Sequence, residues 1–323
     1  MTTSASPTLA APVTAPAPSA AATSAAASGT PWTAGGGRAS AVSLVLGSCT
    51  SLQVGAALAM RLFPVTGAPG ATLLRLGIAA AVLLGATRPR VRAWRPAQWR
   101  AVALYGISLA GTNGFFYAAL ARLPLGTAVT IQFLGPLTLA AALSRRWRDG
   151  GWIVLALLGV LTLGLADRHG SGGGGLDPLG VAFALVSAAF WALYIVAGSR
   201  AGAAVPGRSG VAVAMTAGAL VLLPFGALGA WHVVGRPGPM LLALGVALLA
   251  SVVPYTLEFA AMRRAPRRVF GILLSLDPAL ATLAGWLLLS QRSSPVAIAA
   301  VAVVITASVG STLSARDSKN QSL

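Results

Sequence analysis

The sequence PYTLEFAAMRRAPRRVFGILLSLDPALATLAGWLLLSQR, residues 254–292, contains the pattern that decides the fold. Two apolar runs, each long enough for a membrane span, flank the basic turn RRAPRR at 263–268. Glu258 and Asp277 lie inside these runs, although the whole chain has only 6 acidic residues. An ionised carboxylate in the hydrocarbon region of a membrane costs several kcal/mol, so it marks a functional site by default. The stretch therefore predicts two membrane helices that each carry an acidic functional residue.

The composition of the whole chain is typical of a polytopic membrane protein. Hydrophobic residues make up 56% of the 323 positions, charged residues make up 9%, and the mean hydropathy is +0.79. Soluble domains carry about 25% charged residues, so an ordinary soluble fold is excluded. The net charge of +17 comes from short clusters between apolar runs, which favours a role in membrane orientation over nucleic-acid binding.

The residue patterns of metal and cofactor sites are missing from the sequence. Cys49 is the only cysteine, and the two histidines, His169 and His232, lie far apart in loop-like regions. The glycine run 172–175 lacks the Lys-Ser or Lys-Thr of a phosphate-binding loop and predicts a flexible linker. We therefore expect no metal, no cofactor, no ATP-driven transport and no enzymatic activity.

Apolar segments recur along the chain at the length of a membrane helix, about 17–25 residues. An all-α protein is predicted, with ten spans at 41–60, 70–87, 99–120, 126–144, 150–166, 178–198, 210–230, 239–262, 269–290 and 295–314. They form one five-helix repeat at 39–168 and a second at 178–315, separated by a Gly-rich outer loop at 169–177. The Ala/Ser/Pro-rich residues 1–38 predict a disordered tail without a cleaved signal peptide, and residues 316–323 a cytoplasmic C-terminal tail.

The basic residues predict how the spans are oriented. Most arginines lie in alternate loops, such as 88–100, 145–148 and 263–268, and few lie in the loops between these. Because cytoplasmic loops are enriched in Lys and Arg, this alternation favours ten helices with both termini in the cytoplasm.

An internal repeat relates the two halves. Two prolines of the first half recur in the second at an offset of 142 residues: Pro124 and Pro136 match Pro266 and Pro278. The first and sixth spans match at an offset of 139, which aligns Ser48 with Ser187. Since five is an odd number of spans, the second copy enters the membrane from the opposite side, which predicts an inverted repeat.

Pro136 and Pro278 fall inside the fourth and ninth spans and should break those helices. Paired breaks at corresponding positions of two repeats point to a binding site near the membrane midplane, although simple proline kinks are the alternative. In the first copy Phe116 aligns with Glu258 and Gly135 with Asp277, so the second half alone supplies the acidic charge.

Each intramembrane charge has a functional and a structural interpretation. Asp277 precedes Pro278, so it could cap a half-helix, or it could bind a proton or a substrate amine. Glu258 shares a helix face with Tyr255 and is predicted to line a cavity as a proton carrier. Alternatively, Glu258 could pair with Arg75, and Arg75 could instead extend to the membrane interface.

Other polar and aromatic side chains within the spans are candidate substrate ligands. They are Asn113, Gln132, Trp191 and Tyr194, together with Gln53 and Tyr117. Asn113 aligns with Tyr255 in the repeat, so both halves offer a hydrogen-bonding group at equivalent depth. Each of these could instead form an interhelical hydrogen bond or anchor the chain at the membrane interface.

Three segments carry a resemblance to a known family. LFPVTGAPGATLLRL (62–76), ARLPLGTAVTIQFLGPL (121–137) and VPYTLEFAAMRRAPRRVFGILLSLDPALA (253–281) resemble the bacterial threonine and homoserine exporters of the drug/metabolite transporter superfamily. The resemblance covers about residues 41–315. Three residues depart from the family pattern: Asp277 and Gln132 stand where glutamates are expected, and Gln291 stands where a Leu-Gly-Glu ending is usual.

The resemblance implies an EamA-type transporter of the bacterial inner membrane that exports small amino acids from a cavity between two inverted halves. It also implies alternating access driven by protons, with the lipid bilayer, protons and an amino-acid substrate as partners. An exporter of drugs or other metabolites on the same fold is the first alternative. A membrane-embedded enzyme and a non-transporting sensor or scaffold are the others.

Overall fold

The computed structural model describes residues 35–143, 148–168, 176–205, 209–262 and 267–320, and the regular secondary structure in those ranges is helical. The α-helices are α1 (Gly35–Thr87), α2 (Pro96–Leu120), α3 (Leu125–Gln132), α4 (Leu134–Leu143), α5 (Arg148–Arg168), α6 (Pro178–Ala204), α7 (Ser209–Trp231), α8 (Pro237–Ala247), α9 (Val253–Met262), α10 (Arg267–Leu274), α11 (Asp277–Leu289) and α12 (Pro295–Asn320). A 3-10 turn, Val91–Ala93, precedes α2, and a π-helical turn, Leu248–Val252, joins α8 to α9. Most of the predicted tail and Gly-rich loop, and residues 263–266 of the basic turn, lie outside the described residues.

The described part of the chain contains 7 helices that are long and apolar enough to cross a membrane. They are Val42–Thr87, Leu125–Leu143, Pro178–Ala204, Ser209–Trp231, Pro237–Glu258, Val269–Leu289 and Pro295–Leu313. This confirms the prediction of an all-helical polytopic membrane protein. Val42–Thr87 has 46 residues and covers the first two predicted spans, whereas α2 and the shorter Gly150–Leu163 are not among the 7. The count of ten spans therefore remains a prediction.

Helix α1 consists of two arms that meet at Gly67. Gly67 has φ 65° and ψ 170°, a conformation that residues with a Cβ rarely adopt, and Pro64 and Pro69 flank it. We call residues 35–66 the first arm and residues 68–87 the second arm. Because of this break, the two arms of α1 can pack against different helices.

Prolines interrupt the helices that carry the candidate residues. The predicted fourth span is broken at Phe133, between α3 and α4, and the ninth is broken at Ser275 and Leu276, between α10 and α11. Each break lies two or three residues before the proline, Pro136 or Pro278. Proline lacks an N–H and its ring clashes with the carbonyl four residues earlier, so the regular helix ends before it.

Many of the packed helix pairs join a helix of the first half to a helix of the second half. Helix α1 contacts α8, the π-helical turn and α9, while α2 contacts α6. The second arm of α1 packs on α7, α3 on α11, and α5 on α12. Small residues allow this close approach: a Cβ at Gly55 would lie 2.6 Å from Ala250 N of the π-helical turn.

Candidate functional site

The two acidic residues of the second half face the first arm of α1. Glu258 lies in α9 and is half-buried, and the Ser48 hydroxyl is 3.1 Å from its Oε1 and 3.3 Å from Pro254 O. Asp277, at the start of α11, is 6% exposed, and Cys49 and Gln53 of α1 face it. The two carboxylates also lie close enough to interact electrostatically. Residues far apart in sequence thus form one acidic cluster.

Asp277 does not cap α11 with its side chain. Asp277 is the first residue of the helix, Leu276 occupies the capping position, and no side-chain capping bond is present. Within the described residues, Asp277 Oδ1 and Gln53 Oε1 are buried without a hydrogen-bond partner. Because buried polar atoms are almost always hydrogen-bonded, these two oxygens are available to a donor such as an acid proton or an ammonium group. The N-terminal end of α11 also favours a negative charge at this position.

Arg75 is buried in the second arm of α1, so it does not extend to the membrane interface. It is 6% exposed and donates from Nη2 to Ala250 O at 2.6 Å and from Nε to Ser251 Oγ at 3.1 Å. The guanidinium also lies 5.5 Å from the ring centre of Tyr117, whose hydroxyl accepts from Nη1 at 3.3 Å. Ala250 O is available because Pro254, four residues later, has no N–H to bond it.

Arg75 is not paired with Glu258. The one ion pair within the described ranges joins Arg122 to Asp177 at 2.7 Å, away from the acidic cluster. Tyr255 of α9 lies near enough to interact electrostatically with both Arg75 and Glu258. The phenol therefore lies near both the buried cation and the half-buried acid, and no ion pair joins these two charges within the described residues.

Tyr194 of α6 extends the same cluster. Its ring centre is 5.1 Å from that of Tyr105, and its hydroxyl also lies near Tyr255. The structure thus brings together Glu258, Asp277, Tyr255, Tyr194 and Arg75, five of the residues selected from sequence.

Two of the remaining candidates, Gln132 and Trp191, belong to a second polar group, which joins α2 and α3 of the first half to α6 of the second half. Gln132, the last residue of α3, is 7% exposed and donates from Nε2 to Ser187 Oγ at 2.7 Å. Ser187 Oγ in turn donates to Thr112 O at 2.7 Å. Trp191 packs edge-on against Phe133 at 5.4 Å. None of these contacts reaches the acidic cluster.

Asn113 is a different case from the other candidates. Its Nδ2 donates to Leu109 O at 2.8 Å within its own helix, so part of its hydrogen-bonding capacity is used locally. It lies beside the second polar group in sequence, but no described contact joins its side chain to Gln132 or to the acids.

The two polar groups correspond under the offsets read from the sequence. Ser48 approaches Pro254 O, and Ser187 donates to Thr112 O. The serines are 139 residues apart and the two carbonyls 142 residues apart, which are the two offsets of the internal repeat. The same offsets relate the contact of Asp277 with Cys49 to the close approach of Gly135 to Ala188.

Comparisons with known proteins identify the family. The EamA-like transporter family matches residues 178–313. The threonine/homoserine exporter RhtA of Escherichia coli K12 is 40% identical over 278 residues, which cover 85% of this chain and 92% of that protein. The chain belongs to the threonine/homoserine exporter family of the drug/metabolite transporter superfamily. RhtA of Salmonella typhimurium LT2 is equally similar, with the same identity and coverage.

Membership of this exporter family confirms that the protein is a transporter and not an enzyme. Together with the apolar helices, it confirms a multi-pass protein of the inner membrane. A protein of known crystal structure overlaps 85% of this chain and 98% of its own length, with a TM-score of 0.56 and 25% sequence identity. Within the described residues, no group of three or more His, Cys, Asp or Glu side chains could hold a metal ion.

In this member of the exporter family, sequence reasoning missed the residues that surround the acids. Ser48 was visible only as the partner of Ser187 in the repeat, and Cys49 only as a cysteine that could not form a disulfide. Ser251 and Tyr105 are buried side chains that carried no pattern at all. The alignment of Ser48 with Ser187 was the one signal that could have placed α1 against the acids.

Proposed function

We propose that the protein exports a small amino acid, similar to threonine or homoserine, by proton-coupled alternating access of two inverted halves. The observation that carries the proposal is the pair Glu258 and Asp277 within the apolar spans, which has no cation partner within the described residues. The named function of the relatives, threonine and homoserine export, supports the substrate class.

The charges of the cluster suit a zwitterion. An α-amino acid carries an ammonium group, which the carboxylates of Glu258 and Asp277 can bind through charge-assisted hydrogen bonds. It also carries a carboxylate, for which Arg75 is the buried cation. A guanidinium has five N–H groups, and three of them bond Ser251, Tyr117 and Ala250, which leaves donors free for a substrate.

Proton coupling follows from competition for the same carboxylates. In a low-dielectric interior, two nearby carboxylates repel each other unless a proton or another cation joins them. A proton and a substrate ammonium therefore exclude each other at Glu258 and Asp277. Exchange of one for the other on opposite sides of the membrane would couple proton entry to amino-acid exit.

The internal correspondence supports alternating access between inverted halves. The hydrogen bonds of Ser48 and Ser187 map onto each other at the repeat offsets, and α1 and α2 each pack across to the other half. Two symmetric halves that can exchange conformations are the general basis of alternating access.

At one end of the protein, hydrogen bonds join the two halves. Arg61 donates to Leu288 O, and Leu125 N donates to Gln291 Oε1 at 3.0 Å. The arginine distribution predicts that this end faces outwards, because its loops carry few basic residues. The conformation is then one that is closed to the outside.

The direct test is export from proteoliposomes that carry the purified protein and an imposed pH gradient. Efflux of radiolabelled threonine should be proton-dependent in the wild type and lost in Glu258→Gln and Asp277→Asn. The matched control is Asp177→Asn, the same type of change outside the apolar spans, which should transport normally. Normal pH-dependent efflux by Glu258→Gln would refute the coupling role.

A compound panel in the same vesicles tests the substrate class. Efflux of threonine or homoserine, with no efflux of hydrophobic toxic compounds, is expected. Efflux of such compounds without amino-acid efflux would instead favour a drug exporter on the same fold.

A further inference from the structure

A cavity lies at the membrane boundary, remote from the acidic cluster. Its volume is about 420 Å³, and Thr87, Arg88, Pro89, Arg90, Trp94, Gln98, Val205 and Ser209 line it. The apolar spans Val42–Thr87 and Pro178–Ala204 end beside it, and Ser209–Trp231 begins there. The cavity therefore lies at the depth where lipid headgroups meet the protein.

The wall of the cavity is fixed by contacts between the two halves. Gln98 donates from Nε2 to Ala204 O at 2.7 Å, and its Oε1 accepts from Arg95 N at 2.8 Å. Trp94 packs on the core around α2 and α6, and its ring centre is 5.4 Å from that of Trp99. Trp99 is 43% exposed, which is typical of an aromatic side chain at the interface of a membrane.

The cavity lies beside a segment rich in positive charge. The segment 88–100 contains five arginines, and the first acidic residue of the chain is Asp149. None of these arginines has a carboxylate within ion-pair distance in the described part of the chain. Arg88 and Arg90 line the cavity, whereas Arg92 and Arg100 belong to the same segment but do not.

Arg88 is held in an unusual backbone conformation at the end of α1. Its φ is 43°, in the left-handed region where glycine is usual after a helix, and its N–H bonds Leu84 O at 2.8 Å. A side chain with a Cβ in this region costs about 1–2 kcal/mol. Orientation of loops by positive charge does not require an arginine at this strained position, so the strain favours a specific contact for the Arg88 side chain.

We propose that this cavity binds the phosphate of an anionic phospholipid headgroup, with Arg88 and Arg90 as the anion ligands. Basic pockets between membrane helices are suited to such headgroups, and arginine forms strong charge-assisted bonds to phosphate oxygens. Trp94 forms the apolar wall against the glycerol region. Because Gln98 and Ser209 belong to different halves, a bound headgroup contacts both of them.

The test is native mass spectrometry of the purified full-length protein titrated with phosphatidylglycerol or phosphatidylcholine of identical acyl chains. The cavity variant is Arg88→Asn with Arg90→Gln, because asparagine tolerates the left-handed conformation. The matched control is Arg92→Gln with Arg100→Gln, which removes the same charge from the same segment. Size-exclusion chromatography and circular dichroism establish that both variants are folded.

The wild type should prefer phosphatidylglycerol, and the cavity variant should lose roughly tenfold in affinity for each charge-assisted bond removed. The control variant should keep most of the preference. An equal loss in both variants, or none in the cavity variant, would overturn the proposal. Displacement of phosphatidylglycerol by low-millimolar inorganic phosphate would overturn the assignment to a lipid in favour of a soluble anion.

Discussion

Removing the hydroxyl of Ser48 tests whether α1 positions the acidic residue. Ser48 Oγ lies 3.1 Å from Glu258 Oε1, and a hydrogen bond to a charged group is worth about 1.5–3 kcal/mol. If this bond holds Glu258 in place for substrate, Ser48→Ala should lower the transport rate at subsaturating threonine by roughly 10- to 150-fold. The loss should be smaller when the substrate is saturating, because the contribution is mainly to binding.

Ser187→Ala is the matched control, because Ser187 occupies the corresponding position of the other half. It removes the acceptor of Gln132 Nε2, a buried amide, at a cost of about 1–3 kcal/mol in folding stability. The unfolding temperature should fall by about 2–4 °C per kcal/mol, with little change in transport.

The assay pairs radiolabelled threonine efflux from proteoliposomes with thermal unfolding of each variant in the same lipid. Wild-type transport by Ser48→Ala would refute the positioning role. So would an equal loss of transport in both serine variants, since the acid would then have no special part.

Three further outcomes are expected. The Arg122 side chain and the backbone N–H at the start of α6 hold the pKa of Asp177 below its usual value. The stability from this group is therefore present above the ordinary carboxyl range and lost as pH falls through the lowered pKa. The difference in unfolding temperature between wild type and Asp177→Asn should vanish in acid, and a constant difference would contradict this. Gln291→Ala removes the hydrogen bond to Leu125 N and should open the end of the protein near Leu125. Cys49, which is 2% exposed, should then be labelled faster by a membrane-impermeant maleimide added outside, and unchanged labelling would count against closure at this end. A Cβ at Gly106 would lie 2.6 Å from a carbonyl oxygen of α7. Gly106→Ala should therefore destabilise the fold by about 1–3 kcal/mol in thermal unfolding, and an unchanged unfolding temperature would show that α2 and α7 can separate.

The sequence predicted the features that depend on hydropathy and covalent structure. Long apolar runs predicted the membrane helices, and the missing N–H of Pro136 and Pro278 predicted interruptions in the fourth and ninth spans. Glu258 and Asp277 were recognisable because a charge in an apolar span is energetically costly and therefore marks a functional residue. These signals are local in the sequence, so they can be recognised without knowledge of how the helices pack.

The partners of those residues could not be predicted from the sequence. A membrane helix is apolar on its lipid-facing and protein-facing sides alike, so its pattern does not show which side faces its neighbours. Thus Ser48 and Cys49 gave no sign that they face the acids. Asn113 gave no sign that it bonds its own helix, and a pairing of Arg75 with Glu258 was as plausible as the contacts that exist.

The correspondence of Ser48 with Ser187 has a consequence for the energies of the transport cycle. If the two halves exchange roles, as proposed, a perfectly symmetric protein would have equal energies when open to either side. Here one serine meets a carboxylate and the other an amide, so the two end states differ in free energy by an amount that depends on whether Glu258 carries a proton. A free-energy difference of 1.4 kcal/mol changes the ratio of two states about tenfold. Because the halves are unequal, protonation of Glu258 would determine the side of the membrane to which the substrate-free protein is open.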